Sequence, residues 1–230
     1  MNPERVVIGN AELWHGDCRE LLPTLTADAC VTDPPYGISY MHSGGGHGVG
    51  LAGRNHSVPI HGDDQPFDPA PLLRFPVVMM FGADHYRRRL PDGGTLIAWD
   101  KHVGKGPNDS FADAEYAWTN LKIKRNVIRY LWKGIACEKA GEEGGRRWHP
   151  TTKPQGVMRW CLEQMPQARV ILDPYMGSGS TGCAAVALGR MFIGIEIDRR
   201  YFDIACERIA RAQAQAQLSL GDAAPQQAAL

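Results

Sequence analysis

The chain has 230 residues, of which 43% are hydrophobic, and it carries 25 basic and 25 acidic residues. This length fits one domain or at most two, with enough chain for a core of its own. The N-terminus lacks a signal-peptide pattern and no apolar run reaches membrane-spanning length, which excludes secreted and membrane-spanning classes and predicts a soluble cytoplasmic protein.

The cysteines and the charges narrow the class further. Six cysteines are scattered without a C-x-x-C pair, which favours reduced thiols over disulfides or a zinc site, so no metal is expected. Residues 1–84 carry 4 basic and 10 acidic residues, whereas residues 85–160 carry 15 and 8. A basic middle third can attract phosphate even in a neutral protein.

The first predicted elements bring acidic residues to one edge of a sheet. Ala11–His15 reads as a strand, and a short helix follows over Cys18–Leu22. Asp17, between them, would either cap that helix or point into a ligand cleft. The next apolar strand, Ala27–Thr32, delivers Asp33 to the same edge.

The stretch Asp33-Pro34-Pro35-Tyr36 is the most informative local pattern. Its prolines fix their φ angles and lack N–H groups, so the carbonyls have no local ladder to join. The carboxylate and a proline carbonyl can accept both hydrogens of an NH₂ group while the phenol ring stacks on the group that carries it. Alkylation of an exocyclic base amine needs an arrangement that binds the amine in this way. The alternative interpretation of the four residues is a structural turn at the end of a strand.

The rest of the chain predicts an α/β layer fold with a largely parallel sheet. The long Gly-, His- and Ser-rich segment Ser39–Pro59 predicts a lid or base-flipping loop. Thr152 and Pro154 predict a helix start, with Thr152 as the cap. The other predicted elements are strands at Val77–Phe81, Thr95–Trp99, Val170–Leu172 and Phe192–Ile195, an antiparallel pair of Glu115–Thr119 with Asn126–Trp132, and helices at His85–Leu90, Thr181–Leu188 and Tyr201–Ala212.

A second motif lies between a predicted strand and a predicted helix. Gly177, Gly179 and Gly182 fit the pattern G-x-G-x-x-G, and Glu196 lies 19 residues after the first glycine. In this context glycines let the backbone approach an adenosine ligand and the acid binds ribose hydroxyls. The pattern alone does not separate a dinucleotide from another adenosyl ligand. A P-loop is disfavoured because the Walker lysine is missing.

Three motifs in this order resemble S-adenosylmethionine-dependent DNA amino-methyltransferases, which modify adenine N6 or cytosine N4. They are the D-P-P-Y turn, an H-P-T-x-K-P segment at 149–154, and D-P-x-x-G-S-G-S-T at 173–181. The catalytic turn precedes the glycine loop, as in the permuted beta-type arrangement of that family. A G-D-C triplet at residues 16–18 precedes both motifs. The resemblance covers roughly Leu13 to Arg208. It implies an α/β, Rossmann-like S-adenosylmethionine methyltransferase fold with circularly permuted motif order and a seven-stranded, mostly parallel sheet with one antiparallel strand.

The resemblance also implies the site. Asp33, Pro34, Pro35 and Tyr36 would be catalytic, with Asp33 and the Pro34 carbonyl orienting the amine of a flipped base while Tyr36 stacks on it. The implied cofactor-binding residues are Asp17, Cys18, Asp33, His149, Thr151, Lys153, Asp173, Pro174, Gly177, Ser178, Gly179, Ser180, Thr181 and Glu196. Within this set, Asp17 would contact the adenine amine of S-adenosylmethionine, Glu196 its ribose, and Asp173 with the glycine loop its methionine end.

The expected substrate is double-stranded DNA. Within the family, aspartate at the first position of the turn is commoner in enzymes that act on adenine N6, and serine is common for cytosine N4. Adenine is therefore favoured, with cytosine N4 or an RNA base as alternatives. The candidate phosphate contacts are Lys122, Lys124, Arg125, Arg129, Arg146 and Arg147.

Two functions from other classes of protein are the alternatives to a DNA methyltransferase. A nicotinamide-dependent oxidoreductase could use the same glycine loop but would leave the D-P-P-Y turn unexplained, and a catalytically idle nucleic-acid-binding protein would not need it. We expect one methyltransferase domain over 1–214, with a mobile loop at 39–62, a target-recognition insert at 101–148 and an Ala/Gln-rich tail at 215–230. A homodimer and a partner nuclease are left open by the sequence.

Overall fold

The computed structural model describes residues 3–39, 60–104, 112–133, 136–137 and 152–222. The strands are β1 (Glu4–Ile8), β2 (Ala11–His15), β3 (Ala29–Thr32), β4 (Val77–Phe81), β5 (Thr95–Asp100), β6 (Ala114–Thr119), β7 (Val127–Arg129), β8 (Trp132–Lys133), β9 (Ala136–Cys137), β10 (Val170–Asp173) and β11 (Met191–Glu196). The helices are α1 (Cys18–Leu21), α2 (Ala83–Tyr86), α3 (Gln155–Glu163), α4 (Ser180–Ala187) and α5 (Arg199–Asp222).

Nine of these strands form one sheet in the order β1-β2-β11-β10-β3-β4-β6-β5-β7, and β8 pairs with β9 in a separate ribbon. Within the large sheet, β1 and β6 run antiparallel to the other seven strands. The seven strands from β2 to β5 in this order contain one antiparallel member, β6, and this confirms the predicted α/β class. The predicted count of seven was too low, because β1 and β7 each add a strand at one edge.

Two local predictions are wrong. The segments predicted to pair antiparallel do not pair with each other. Both edges of β6 are occupied, by β4 and β5, and β7 instead joins the outer edge of β5 in parallel. The predicted cap at Thr152 is also wrong, because Pro154 occupies the N-cap position of α3 and no side chain caps that helix.

Other boundaries shift by small amounts. The predicted helix from His85 continues as a single 3₁₀ turn, Arg87–Arg89, after the short α2. Helix α5 extends to Asp222 and so enters the segment that composition marked as a tail. The hairpin partner β1 was missed because Glu4 and Arg5 interrupt its apolar pattern. None of the helices in the described part of the chain has the length and apolarity needed to cross a membrane.

The central strands are apolar throughout because both faces of the sheet are covered. Along β3, Ala29 and Val31 join the core beneath α3, α4 and α5, whereas Cys30 joins the core on the other face with Leu72 and neighbouring residues. A parallel sheet buried on both faces is expected to have such continuous apolar strands rather than alternating ones.

This topology gathers the functional residues at one edge. The carboxyl ends of β2, β3, β10 and β11 lie side by side in the parallel part of the sheet. Because β6 is antiparallel, its first residues lie at that same edge, where Glu115 is opposite Trp99 of β5. Ligands of open α/β sheets bind outside the carboxyl ends of the strands.

Candidate active site

The D-P-P-Y turn forms a closed acidic corner directly after β3. The Tyr36 hydroxyl donates a hydrogen bond to Asp33 Oδ1 at 2.5 Å. The turn is anchored from outside by Asp63, whose Oδ1 accepts from the Gly37 backbone N–H at 2.8 Å. Burial raises the pKa of Tyr36 well above its usual range, so the phenol stays a hydrogen-bond donor.

The Tyr36 ring is held by its neighbours. The His85 ring stacks on it with centroids 5.0 Å apart and planes 17° apart. Gly82, at φ +75°, lies against the same ring, because a Cβ at this position would be 2.1 Å from Tyr36 Cε1. Glycine is therefore required both by the left-handed backbone and by the close approach.

A buried lysine completes the acidic corner. Lys153, just before α3, is 7% exposed, and its Nζ lies 2.5 Å from Asp33 Oδ2. The same ammonium is 3.3 Å from the Tyr36 hydroxyl and 3.2 Å from Glu115 Oε2. Lys101 in turn contacts Glu115 Oε1 at 2.7 Å. Four charges of alternating sign thus form one connected chain at the sheet edge.

The pKa shifts follow from burial and from these neighbours. Burial raises the pKa of Asp33, and the Lys153 ammonium opposes this shift. Burial alone would lower the pKa of Lys153, but the carboxylates of Asp33 and Glu115 outweigh it and the pKa is raised. Lys153 is therefore protonated and is shared by two carboxylates.

The adjacent strand β10 ends in a second buried carboxylate. Asp173 Oδ2 accepts from the Thr181 hydroxyl at 2.5 Å, and Oδ1 accepts from the Thr32 hydroxyl at 2.6 Å and from the Tyr175 N–H at 3.1 Å. Burial raises the pKa of Asp173 to about 6 despite these donors. The Thr32 bond ties the end of β3 to the end of β10, so the D-P-P-Y turn and the glycine loop begin at neighbouring strand ends.

The glycine loop leads from β10 into α4. At Gly177, with φ +51°, an added Cβ would meet no atom within 4 Å, so this backbone faces open space. At Gly182 an added Cβ would lie 2.5 Å from Ile209 and 2.6 Å from Phe192, so this glycine serves packing between α4, α5 and the sheet. The first glycine thus exposes backbone to a ligand and the last one brings the helix close.

A buried arginine braces this loop from α5. Arg208, 6% exposed, donates to the Ser178 carbonyl at 2.5 Å and to the Ser178 hydroxyl at 2.9 Å. The sequence pattern did not single out Arg208, since it lies 30 residues beyond the loop on a helix with many exposed charges.

The acid at the end of β11 is joined to the same loop. Glu196 Oε2 accepts from the Gly177 N–H at 2.9 Å, and Oε1 accepts from the Asp198 N–H at 2.7 Å. Burial raises the pKa of Glu196 to about 7. The neighbouring strand β2 is held there by the Gly16 N–H, which donates to the Glu196 carbonyl at 3.0 Å.

Asp17 follows Gly16 and has a structural role of its own. Its Oδ1 accepts from the Arg19 N–H at 2.9 Å and caps α1, and its carboxylate pairs with the Arg19 guanidinium. Both sequence readings of Asp17 therefore stay compatible with its position, since a capping carboxylate at this edge still lies beside the end of β11.

The structure gathers most of the predicted site residues at one edge. Those at the strand ends described above, or in the turns, loop and helix starts that follow them, are Asp17, Cys18, Asp33, Pro34, Pro35, Tyr36, Asp173, Pro174, Gly177, Ser178, Gly179, Ser180, Thr181 and Glu196. Lys153 joins them from the start of α3 through its contact with Asp33. His149, Thr151, Arg146 and Arg147 lie outside the described residues. Their roles stay predictions.

The predicted phosphate contacts divide between the two edges of the sheet. Lys122, Lys124 and Arg125 lie in the link after β6, beside the beginning of β5, where the Thr95 hydroxyl bonds to Leu121. That edge is opposite to Asp33. Arg129 lies at the carboxyl edge, paired in register with Asp100.

Other basic residues lie nearer to the corner. Arg89 lines a cavity of about 140 Å³ together with Tyr36 and His85, and Arg87 and Arg88 are exposed beside it. All three belong to the basic middle third of the chain. Within the described residues, no group of three or more His, Cys, Asp or Glu side chains could hold a metal ion, and Cys18, Cys30, Cys161, Cys183 and Cys206 are not in disulfide bonds.

Comparisons with known proteins agree with the motifs. Residues 98–207 match a family model described as DNA methylase, for N6 and N4 methyltransferases. The Type II methyltransferase M.HinfI of Haemophilus influenzae is 38% identical over 85 residues, which are 35% of this chain and 24% of that protein. The Type II methyltransferase M2.DpnII of Streptococcus pneumoniae is 40% identical over 105 residues, 44% of this chain and 38% of that protein. The matches thus span about a quarter to two fifths of these relatives.

Solved structures show the same fold. The M1.HpyAVI–SAM complex has a TM-score of 0.52 at 24% identity, and the match covers 86% of this chain and 98% of that one. PvuII DNA methyltransferase, described as cytosine-N4-specific, has a TM-score of 0.56 at 14% identity, over 91% and 93% of the two chains. These matches agree with the resemblance: the chain is similar to the N6 and N4 DNA methylases in sequence over residues 98–207, and it has the fold of the solved methyltransferases.

Proposed function

We propose that the chain is a DNA methyltransferase that transfers a methyl group from S-adenosylmethionine to the exocyclic amine of a flipped base. The observation that carries this proposal is the Thr32–Asp173 hydrogen bond, which joins the ends of β3 and β10. Because of this bond, the proposed amine-binding corner at Asp33 and the proposed adenosyl-binding loop at Gly177 begin at the ends of adjacent strands.

The residues at this edge fit the cofactor. Gly177 faces open space, the half-buried Glu196 carboxylate holds the loop and has lone pairs left for ribose hydroxyls, and Asp17 lies beside the end of β11. When bound, S-adenosylmethionine supplies an electrophilic methyl group. In this proposal Asp17 contacts its adenine amine and Glu196 its ribose, while Asp173 and the loop lie at its methionine end.

The chain's own residues prepare the base. A paired amine is unreachable inside a duplex, so the base must leave the stack. In this proposal the base stacks on Tyr36 in place of the His85 ring, while the Asp33 carboxylate and the Pro34 carbonyl accept the two amine hydrogens. Positioning of two reactants in this way can lower a barrier by about 7–11 kcal/mol. Asp33 also stabilises the positive charge that develops on the amine nitrogen.

We infer that DNA approaches the carboxyl edge of the sheet. Arg87, Arg88 and Arg89 follow α2 at this edge, and Arg89 shares a cavity with Tyr36. Phosphate contacts from this group would position the backbone close to the base that is flipped onto Tyr36. Lys122, Lys124 and Arg125 could reach DNA only if it extended past the opposite edge.

Adenine N6 is the proposed target, because the first residue of the turn is aspartate. Cytosine N4 is the second candidate, and it is favoured by the fold match to PvuII DNA methyltransferase, described as cytosine-N4-specific. Nucleoside mass spectrometry and modification mapping of DNA from expressing cells distinguish them. N6-methyladenine in a fixed sequence context supports the proposal, N4-methylcytosine selects the second candidate, and unmodified DNA contradicts both.

The oxidoreductase alternative has its own test. Because a ligand that binds the folded state raises its stability, thermal unfolding can be followed with S-adenosylhomocysteine and with NAD. The proposal expects a rise with S-adenosylhomocysteine and none with NAD. The reverse pattern would favour the oxidoreductase.

A further inference from the structure

The amine-binding corner already holds an amine from the chain itself. The Lys153 ammonium lies 2.5 Å from Asp33 Oδ2 and 3.3 Å from the Tyr36 hydroxyl. Tyr36 bonds to the other oxygen, Oδ1. A base amine that needs the Asp33 carboxylate therefore competes with Lys153 for Oδ2.

A second carboxylate lies within reach of the same ammonium. Glu115 Oε2 is 3.2 Å from Lys153 Nζ, and it is buried without a hydrogen-bond partner of good geometry among the described residues. The other oxygen, Oε1, is engaged by Lys101. Among the described residues this oxygen therefore has an ion-pair contact but no well-aligned hydrogen bond, which is uncommon for a buried acceptor and calls for an explanation.

We propose that Glu115 is a positioning residue that receives the Lys153 ammonium when a base amine takes its place on Asp33. The inference rests on the proposed function and deepens it. Lys153 stands in for the substrate amine at Asp33, and Glu115 Oε2, already 3.2 Å from its Nζ, is the acceptor toward which it shifts. No covalent bond changes in this exchange and no proton is transferred.

The charges make such an exchange feasible. Asp33 and Glu115 balance Lys153 and Lys101, so moving one ammonium between two carboxylates keeps the cluster neutral. Removing Lys153 from Asp33 without a second acceptor would leave a buried cation unpaired, which is strongly unfavourable. The lysine side chain has a flexible four-carbon stem, and its Nζ already lies between the two carboxylates. A small movement of the ammonium is therefore enough to transfer it from Asp33 to Glu115.

The test uses two variants of the cluster and a matched control. Glu115→Gln removes the receiving charge at constant size, and Lys153→Met removes the ammonium. Glu163→Gln is the control, because Glu163 forms an exposed pair with Arg159 on α3. The first readout is the fluorescence of 2-aminopurine placed next to the target adenine, which keeps its own amine, in DNA whose site has been mapped and with S-adenosylhomocysteine present. Calorimetric binding of S-adenosylhomocysteine checks that the cofactor pocket is intact.

Glu115→Gln is expected to reduce the flipped population by about tenfold, a size typical of coupled sites, while S-adenosylhomocysteine affinity and the Glu163→Gln control stay unchanged. In a Lys153→Met background, Glu115→Gln is expected to add nothing. Additive effects would overturn the proposal. Should Glu115→Gln fold poorly, Glu115→Asp keeps the charge, and flipping closer to that of the wild type than in Glu115→Gln is expected; equal loss in both would overturn the proposal.

A pH profile of methyl transfer gives the second readout. The groups that face Asp33 in the described part of the chain are Lys153, Tyr36, Glu115, Asp173 and Tyr86. Glu115 raises the pKa of Asp33 and Lys153 lowers it. The acidic limb should therefore move to lower pH in Glu115→Gln and to higher pH in Lys153→Met, opposite shifts that a purely structural role would not produce.

Different results would contradict the proposed function and the proposed role of Glu115. If the wild-type chain neither binds S-adenosylhomocysteine nor methylates DNA, the proposed function fails and this inference fails with it. If the wild-type chain is active and Glu115→Gln flips the base normally, the inference alone is overturned.

Discussion

Thr32 donates its hydroxyl hydrogen bond to Asp173 Oδ1 at 2.6 Å, across 141 residues of sequence. Thr32 is the last residue of the strand before the D-P-P-Y turn, and Asp173 is the last residue of the strand before the glycine loop. The bond fixes the relative position of the two motifs. It also supplies one of three hydrogen bonds to a carboxylate that is 2% exposed.

Thr32→Val should lower the free energy of unfolding by about 1–3 kcal/mol, because it leaves a buried acceptor with one donor fewer. The pKa of Asp173 is raised to about 6 by burial, so ionising this group costs stability as pH rises through that value. Loss of a donor makes ionisation costlier still, and urea unfolding should show a larger loss at pH 8 than at pH 5. Thr32→Ser keeps the hydroxyl and should stay near the wild type at both pH values. An equal loss at both would contradict the account.

Gly177→Ala separates ligand binding from backbone strain. Gly177 and Gly189 both have positive φ, +51° and +69°, and an added Cβ meets no atom within 4 Å at either position. Both alanine variants should therefore lose a similar free energy of unfolding, about 1–2 kcal/mol. S-Adenosylhomocysteine affinity, measured by calorimetry, should fall in Gly177→Ala and stay unchanged in Gly189→Ala. Equal affinities would remove the glycine loop from the cofactor pocket.

Glu196 predicts a pH dependence of cofactor binding. Burial raises its pKa to about 7, and ribose hydroxyls donate best to the ionised carboxylate. S-Adenosylhomocysteine should therefore bind about tenfold more tightly at pH 8 than at pH 6, as linkage to one proton requires. Glu196→Gln should bind more weakly and lose this pH dependence. A wild-type affinity that is flat over this range would exclude Glu196 as the ribose contact.

Gly82→Ala tests the placement of the Tyr36 ring. Its Cβ would lie 2.1 Å from Tyr36 Cε1, whereas Gly93, also at positive φ, has open space around it. Gly93→Ala should show only the cost of backbone strain, with normal methyl transfer. Gly82→Ala should lose transfer as well, because the ring must move. Transfer that is equal in the two variants, at the temperature where both are folded, would argue against stacking on Tyr36.

The sequence predicted the elements that local pattern controls. Apolar runs marked β3, β4, β10 and β11, and glycine spacing marked the loop before α4. The pairing of β7 with β5 could not be predicted, because it depends on which strand edges are already occupied by β6. Edge strand β1 carries charged residues that hide its pattern.

The site was predictable where a motif is contiguous. The resemblance implied Lys153 only as a cofactor-binding residue, yet its ammonium is buried on Asp33, which lies 120 residues earlier. Glu115 carried no signal at all, since one acid in a strand that begins at a sheet edge is ordinary. The contact of Glu115 with Lys153 arises from the antiparallel strand β6, which places its first residues beside the acidic corner, whereas Lys153 reaches Asp33 from the start of α3. Such long-range charge pairing follows from topology rather than from spacing.

The central claim is that Asp33 and the Gly177 loop serve one methyl-transfer cleft. The most direct measurement is transfer of a labelled methyl group from S-adenosylmethionine to DNA, with S-adenosylhomocysteine affinity measured on the same samples. The account predicts that Asp33→Ala loses transfer by about a hundredfold or more while its S-adenosylhomocysteine affinity stays that of the wild type. Near-normal turnover in Asp33→Ala would contradict it.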